Sequence, residues 1–238
     1  LLLAREVADR AGLAIDNAAL YREAQLAIRA REDFLSIASH ELRTPLTALH
    51  LQISTLVAKA QQGLPATLTK EKLARLDGQM VRLRELVDQL LDVSRLASGR
   101  VAYNYEDADL GELAGVVVDE LRDVAAASGT AVSFAARGDT RGRWDRGRLE
   151  QVLSNLIGNA IKYGAGKAVD VVVVGAEDAV SVVVSDQGVG IAADEVGRIF
   201  ERFERASSAK NFSGLGLGLW ISNQIVRGHG GSIVVKST

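Results

Sequence analysis

Cysteine is missing from this 238-residue chain, proline occurs twice, methionine once, and aromatic residues make up only 5%. Without cysteine there is neither a disulfide nor a thiolate metal site, and the redox compartment is left open. With prolines only at Pro45 and Pro65, long stretches are free to run as helix. Long apolar runs are missing as well. The best candidates, such as Val169 to Gly175, have the length of a strand and fall far short of the ~18 residues needed to cross a bilayer. No signal-peptide pattern is present. Neither half is strongly basic: the formal charge is +2 over residues 1–100 (fourteen basic, twelve acidic) and −4 over 101–238 (fourteen basic, eighteen acidic). Nucleic-acid binding usually needs a basic excess that this chain does not have. What is present, 47% hydrophobic and 24% charged residues, suits a soluble globular protein of one large or two small domains. The first residue is Leu1 rather than Met, so the chain reads as part of something longer.

From Leu1 to about Ala60 the pattern is that of nearly continuous helix. Apolar residues recur every seven positions from Val7 through Ala14, Tyr21, Ile28, Leu35 and Leu42 to Leu49, beside a weaker row that includes Gln25, Glu32, Ser39 and Leu46. Such a pair of rows predicts a coiled-coil or bundle helix with these positions facing inward. Gly63 and Pro65 mark a turn, and a second helix carries Leu73, Leu76, Met80, Leu83, Val87 and Leu90 before Ser98-Gly99 ends it. Residues 1–99 are thus expected to form a helical hairpin with a long N-terminal extension, two copies making a four-helix bundle. The texture then changes. Helices are expected over 109–128, 145–163 and about 215–229, and strands over 130–136, 169–174, 180–185 and 232–237. Mixed helices and strands of this kind predict a two-layer α/β sandwich.

The side chains that carry chemistry follow. His40 falls outside the inward rows, next to Glu41 and five residues before Pro45. By itself it is either a solvated helix histidine or a nucleophile whose proton Glu41 can accept. Asn155 and Asn159 lie one turn apart on the 145–163 helix, with Lys162 and Tyr163 at its end. Two asparagines on a helix are either plain surface polarity or amide oxygens suited to a magnesium ion that also holds phosphates, with lysine adding charge. Asp186-Gln-Gly-Val-Gly-Ile191 follows a strand, and Gly188 and Gly190 allow close approach of backbone to a ligand. Phe200-Glu-Arg-Phe-Glu-Arg205 offers the aromatics Phe200 and Phe203 and the cation Arg205. Gly214-Leu-Gly-Leu-Gly-Leu219 opens a helix whose N–H groups favour an anion. It is not a Walker loop, because no lysine-serine or lysine-threonine follows.

Residues 34–49, Phe-Leu-Ser-Ile-Ala-Ser-His-Glu-Leu-Arg-Thr-Pro-Leu-Thr-Ala-Leu, resemble the phosphoacceptor box of sensor histidine kinases. Asn-Leu-Ile-Gly-Asn-Ala-Ile-Lys-Tyr at 155–163 is similar to the family's asparagine box, and the three loop motifs resemble its first glycine box, phenylalanine box and second glycine box, in that order. The resemblance implies autophosphorylation of His40 from ATP with help from Glu41, and a phosphatase role for Thr44 in positioning water. It makes Asn159 the magnesium ligand, with Asn155, Lys162 and Tyr163 beside it. Asp186 would read adenine, with Gly188, Gly190 and Ile191 around the base. Phe203 and Arg205 would serve the lid and the γ-phosphate, and Gly214, Leu215, Gly216, Leu217 and Gly218 would form the lid hinge over the phosphates. Many relatives carry threonine or serine where Leu215 stands, which leaves backbone contacts there. Related ATP-hydrolysing chaperones and topoisomerases place a water-activating glutamate where this chain has Asn155.

The expected organisation is a signalling helix at 1–30, a dimerisation and phosphotransfer domain at 31–99, a linker at 100–108 and an ATP-binding domain at 109–238. Residues 3–25 resemble the last helix of a GAF-type sensor, which implies such a domain upstream. Members of the family usually continue past the position of Thr238 through another strand, so an early end is expected there. The implied partners are a second copy of the chain and a response-regulator receiver domain, and the implied location is cytoplasmic. An ATP-binding scaffold of the same family and a plain ATPase are the alternatives.

Overall fold

The computed structural model describes residues 2–61, 70–97, 102–164, 166–204, 206–207 and 215–237. They fall into two compact units, Leu1–Leu86 and Val87–Thr238. The turn expected at Gly63 and Pro65 and the helix end expected at Ser98-Gly99 lie outside the described residues.

The first unit consists of α1 (Leu2–Gln61) and most of α2 (Lys70–Ala97). The α1 helix runs through Pro45, which has no N–H to offer the carbonyl of Glu41. Its buried side is Ala38, Pro45 and Leu49, and Leu86 of α2 is likewise buried. The row expected to face inward is covered only in part. Leu49 is 7% exposed, but Ile28, Leu35 and Leu46 are about half exposed and Tyr21 more so. Ser39, also expected inward, is exposed. The predicted seam is thus buried at Leu49 and open at Tyr21, Ile28, Leu35 and Leu46.

The second unit begins within α2 and continues through β1 (Glu106–Asp109), α3 (Leu110–Glu120), α4 (Arg122–Ala127), β2 (Val132–Arg137) and β3 (Arg141–Trp144). Then come α5 (Arg146–Tyr163), β4 (Val169–Gly175), β5 (Val180–Asp186) and α6 (Gly218–Gly228). β4 sits between β2 and β5, parallel to β2 and antiparallel to β5. Val169, Val171 and Val173 alternate inward and are wholly buried, while Asp170 faces outward and accepts from Ser133 of β2. α3 and α5 pack on this sheet and α6 packs on α5, so the core lies between one sheet layer and one helix layer. Val117 of α3, Ile157 of α5 and Ile225 of α6 are completely buried in it.

Three local expectations are corrected. Residues 106–108 belong to β1, which pairs antiparallel with β3 from Glu106↔Trp144 to Asp109↔Arg141. The helix expected over 109–128 breaks at Leu121 into α3 and α4, Leu121 capping the first and starting the second. Residues 232–237 form no strand ladder, although Ser237 Oγ accepts a hydrogen bond from the backbone N–H of Ile191 at 2.8 Å.

Two side-chain clusters tie the edges of this unit together. Asp92, near the end of α2, is buried and receives Arg148 Nη1 at 2.7 Å and Gln151 Nε2 at 2.6 Å, both from α5. Tyr103 and Tyr105 pack edge-on against His229, with ring centroids 5.1 and 5.3 Å away. His229 Nε2 accepts from the backbone N–H of Asp145 at 3.0 Å and Nδ1 lies 2.9 Å from the carbonyl of Ile225, which places the ring proton on Nδ1. Burial, followed by the neighbouring Tyr105, pushes the Tyr103 hydroxyl above its ordinary pKa.

Asp109 starts α3. Its Oδ1 accepts from the N–H groups of Gly111 at 2.8 Å and Glu112 at 3.2 Å and from the hydroxyl of buried Thr140. The Thr140 hydroxyl, more than the two backbone N–H groups, holds this carboxyl below the ordinary range. A carboxylate with a depressed folded value stabilises the fold above its unfolded pKa, and that contribution fades as pH falls through the folded value. Asp109→Ala is therefore expected to cost about 1 kcal/mol in urea unfolding at pH 7. The gap from the parent should narrow as pH drops below ~4, and an equal gap at both pH values would show that the charge is not what stabilises.

Candidate functional site

His40 and its neighbours lie in the first unit. The imidazole is exposed, and Glu41 is half-buried one residue on. The Thr44 hydroxyl donates to the carbonyl of His40 at 3.3 Å, one turn back, in the stretch where Pro45 interrupts the backbone ladder. A groove of about 470 Å³ runs beside them, lined by Ser39, Leu42, Arg43, Leu46, Thr47 and His50. His40 does not line it, in keeping with its expected place on the outer side of the helix.

The other predicted residues gather in the second unit around α5. Asp145 caps the start of that helix, accepting from the N–H of Arg148, and Leu149, Val152, Leu153, Ile157, Ala160 and Ile161 fill its core face. That burial sets the helix's rotation and leaves Asn155 and Asn159 on its flank. Asn155 Nδ2 donates to the hydroxyl of Ser222 on α6 at 2.9 Å, and Asn159 Nδ2 lies 3.4 Å from Asn155 Oδ1. The first turn of α6 passes so close that a Cβ on Gly218 would stand 2.2 Å from Asn155 Oδ1. At the end of α5, Lys162 Nζ sits 5.0 Å from the centre of the Tyr163 ring.

The loop after β5 is held against this end of α5. Asp186 is exposed, and its Oδ1 accepts the N–H of Gly188 at 2.8 Å in a tight turn. The N–H of Val189 reaches the carbonyl of Tyr163 at 3.3 Å. A side chain at Gly188 would meet that same carbonyl at 2.3 Å, and Gly190 has φ of 68°. Phe203 adopts φ of 65°, which a non-glycine residue seldom does, while its N–H bonds the carbonyl of Gly216 at 3.2 Å. The aromatic segment and the second glycine segment are thus joined directly. The Arg202 guanidinium stacks over Trp220 of α6 at 4.4 Å.

Of the predicted site residues, Asn155, Asn159, Lys162, Tyr163, Asp186, Gly188, Gly190 and Ile191 lie along α5 and the loop that docks on its end. Phe203, Gly216 and Gly218 link the aromatic segment to α6. Leu215 and Leu217 are 3% and 1% exposed, so their side chains belong to the core and only their backbone can serve a ligand. Arg205 and Gly214 lie outside the described residues. Ser222 escaped the sequence reading. It is a single hydroxyl on an apolar helix face between Ile221 and Ile225, one turn after Gly218, and that interruption was its signal.

The chain matches two family models: "His Kinase A (phospho-acceptor) domain" over residues 30–99 and "Histidine kinase-, DNA gyrase B-, and HSP90-like ATPase" over residues 144–238. It is 32% identical to the circadian input-output histidine kinase CikA of Synechococcus elongatus, over 99% of this chain and 32% of that protein. It is also 32% identical to the signal transduction histidine-protein kinase BaeS of Escherichia coli, over 86% of this chain and 43% of that protein. The chain therefore spans less than half of the length of these relatives. Among solved structures it resembles the Acinetobacter baumannii histidine kinase AdeS, with TM-score 0.61 and 26% identity over 79% of this chain and 86% of that one. It also resembles full-length ShkA, with TM-score 0.55 and 26% identity over 84% of this chain and 41% of that one. A phospho-acceptor domain over residues 30–99 followed by an ATPase domain over 144–238, with relatives that are histidine kinases, makes the chain a member of the sensor histidine kinases.

Proposed function

We propose that this chain is the catalytic core of a dimeric sensor histidine kinase, which moves the γ-phosphoryl group of ATP to its own His40 and then to an aspartate of a response-regulator receiver domain. The observation that carries this reading is an exposed histidine on α1, inside the phosphoacceptor match, on the same chain as an ATPase domain whose asparagine helix and glycine loop lie together. The similar full-length ShkA was solved in complex with AMPPNP, a nucleotide that fits such a site.

In the proposed step a neutral imidazole nitrogen of His40 forms a bond to the γ-phosphorus as the bond to the ADP oxygen breaks. Glu41, next in the chain, accepts the proton from the ring. Asp186 keeps one carboxylate oxygen for the Gly188 N–H and offers the other to the amino group of adenine. Backbone at Gly188, Gly190 and Ile191 approaches the base, and Lys162 and Arg205 bring positive charge to the phosphates. Leu215 to Gly218 present backbone N–H groups at the start of α6. Among the described residues no donor reaches Asn159 Oδ1, so its carbonyl suits a cation, and magnesium held there would draw charge from the phosphates. Thr44, one turn from His40, would orient water in a phosphatase reaction.

The second copy is argued from α1. Leu35, Leu46, Tyr21 and Ile28 are half exposed or more along the seam the heptads define, and a partner helix would cover them. No helix among the described residues is long and apolar enough to cross a membrane. A cytoplasmic location and a GAF-type sensor joined to α1 complete the proposal.

Incubation with γ-labelled ATP and magnesium should label the parent chain and leave His40→Ala unlabelled, with label that is labile in acid and stable in base. Bound nucleotide without labelled protein would move the reading to a scaffold. Gly188→Ala brings a methyl group against the Tyr163 carbonyl and the Asp186 carboxylate, so nucleotide affinity should fall at least about tenfold, ~1.4 kcal/mol. Equilibrium binding of a fluorescent ATP analogue checks it, and unchanged affinity would remove this loop from the base pocket.

A further inference from the structure

We infer that Ser222 is a positioning residue for the metal-facing amide of Asn159, acting through Asn155; the inference rests on the nucleotide-site reading above. Three side chains form a chain from α6 to α5: the Ser222 hydroxyl accepts from Asn155 Nδ2 at 2.9 Å, and Asn155 Oδ1 accepts from Asn159 Nδ2 at 3.4 Å. An amide has a donor end and an acceptor end, so the direction of such a chain decides which end of the last amide faces out. Here it leaves Asn159 Oδ1 outward, the only end of that amide a cation can use. With both ends reversed, Asn159 would turn an NH₂ toward the cation and repel it.

Two features of α6 hold the Asn155 amide in place. Ser222 is 1% exposed, so its hydroxyl has no bulk water to exchange with and Asn155 supplies its partner. One turn earlier, Gly218 has no side chain, and Asn155 Oδ1 occupies the space a Cβ would fill. α6 therefore grips both ends of one amide, with a hydroxyl at its nitrogen and open space at its oxygen. Without the hydroxyl, the Asn155 amide loses its anchor and turns, and Asn159 follows. The 3.4 Å second link is the weaker one, so it limits how firmly Asn159 follows Asn155.

The serine is not needed merely to fill space, and the test separates the two roles. Ser222→Cys keeps the space filled, with a slightly larger atom, and loses the strong acceptor, while Ser222→Ala removes the group altogether. Binding of a fluorescent ATP analogue is titrated for the parent and both variants, with magnesium and with EDTA, beside a thermal melt of each. The parent should bind more tightly with magnesium. Both variants should lose about tenfold of that gain while affinity in EDTA stays within about twofold. Full magnesium-dependent tightening in Ser222→Cys would overturn the inference, whatever Ser222→Ala does. A parent that binds nucleotide equally well with and without magnesium would overturn it too, and a parent that binds none would overturn the nucleotide reading itself.

Discussion

The second unit is organised by the burial of one face of α5. Ile157 is completely enclosed and Leu153 and Ala160 nearly so, against a sheet whose central strand contributes Val169, Val171 and Val173. Once those contacts form, the helix can neither rotate nor slide without moving an apolar stripe into water, at ~25 cal/mol for each Å² exposed. Every polar residue on α5 is then fixed in direction. Arg148, Gln151, Asn155, Asn159 and Lys162 follow at spacings of three, four, four and three and form one strip beside the core stripe. Its first turn holds Asp92, its middle meets Ser222 and Gly218, and its last turn carries Tyr163, whose carbonyl receives the glycine loop. Core packing and ligand geometry are therefore two sides of a single helix.

The same strip explains why the second unit starts before the end of α2. Asp92 is buried and accepts from two α5 side chains, and Arg148 Nη1 also donates to Gln151 Oε1 at 3.0 Å. A carboxylate so placed is tolerable only because both its oxygens are engaged, since an unpaired buried charge is costly. The last turns of α2 are consequently held to α5 through Asp92. Beside it, at the start of α5, Tyr103 and Tyr105 close over His229, whose ring accepts from the N–H of Asp145. Chain that looked like a plain connector is fastened at both ends.

Elements whose own residues decide their structure were legible. α5 has an apolar period, an aspartate cap and 18 residues to display them. β4 and β5 are β-branched runs joined by a turn that the N–H of Ala176 closes on the carbonyl of Ala179 at 2.8 Å. β1 and β3 were not legible, because Glu-Asp-Ala-Asp and Arg-Gly-Arg-Trp have little strand propensity and become strands by pairing with each other, Asp107 opposite Arg143. The break at Leu121 has no glycine or proline to announce it. The parallel pairing of β2 with β4 depends on contacts more than thirty residues apart, which no local pattern encodes. In the site, glycines and asparagines stood out because those residue types are unusual in such places. Ser222 did not, since a small residue between isoleucines reads as core.

Asn155 also bears on the choice between phosphorylating a side chain and hydrolysing ATP. Relatives that hydrolyse ATP need a carboxylate at this turn to take a proton from water. Here the residue is an amide, which has no useful basicity, and its nitrogen and oxygen are both committed, to Ser222 and to Asn159. A carboxylate in its place would have no proton to donate to the Ser222 hydroxyl and would become an acceptor facing a donor only if that hydroxyl turned round. The residue at this turn of α5 is therefore an amide held between Ser222 and Asn159, with no base strength of its own. On the function proposed above, the proton acceptor comes with the nucleophile, as Glu41 next to His40 in the chain.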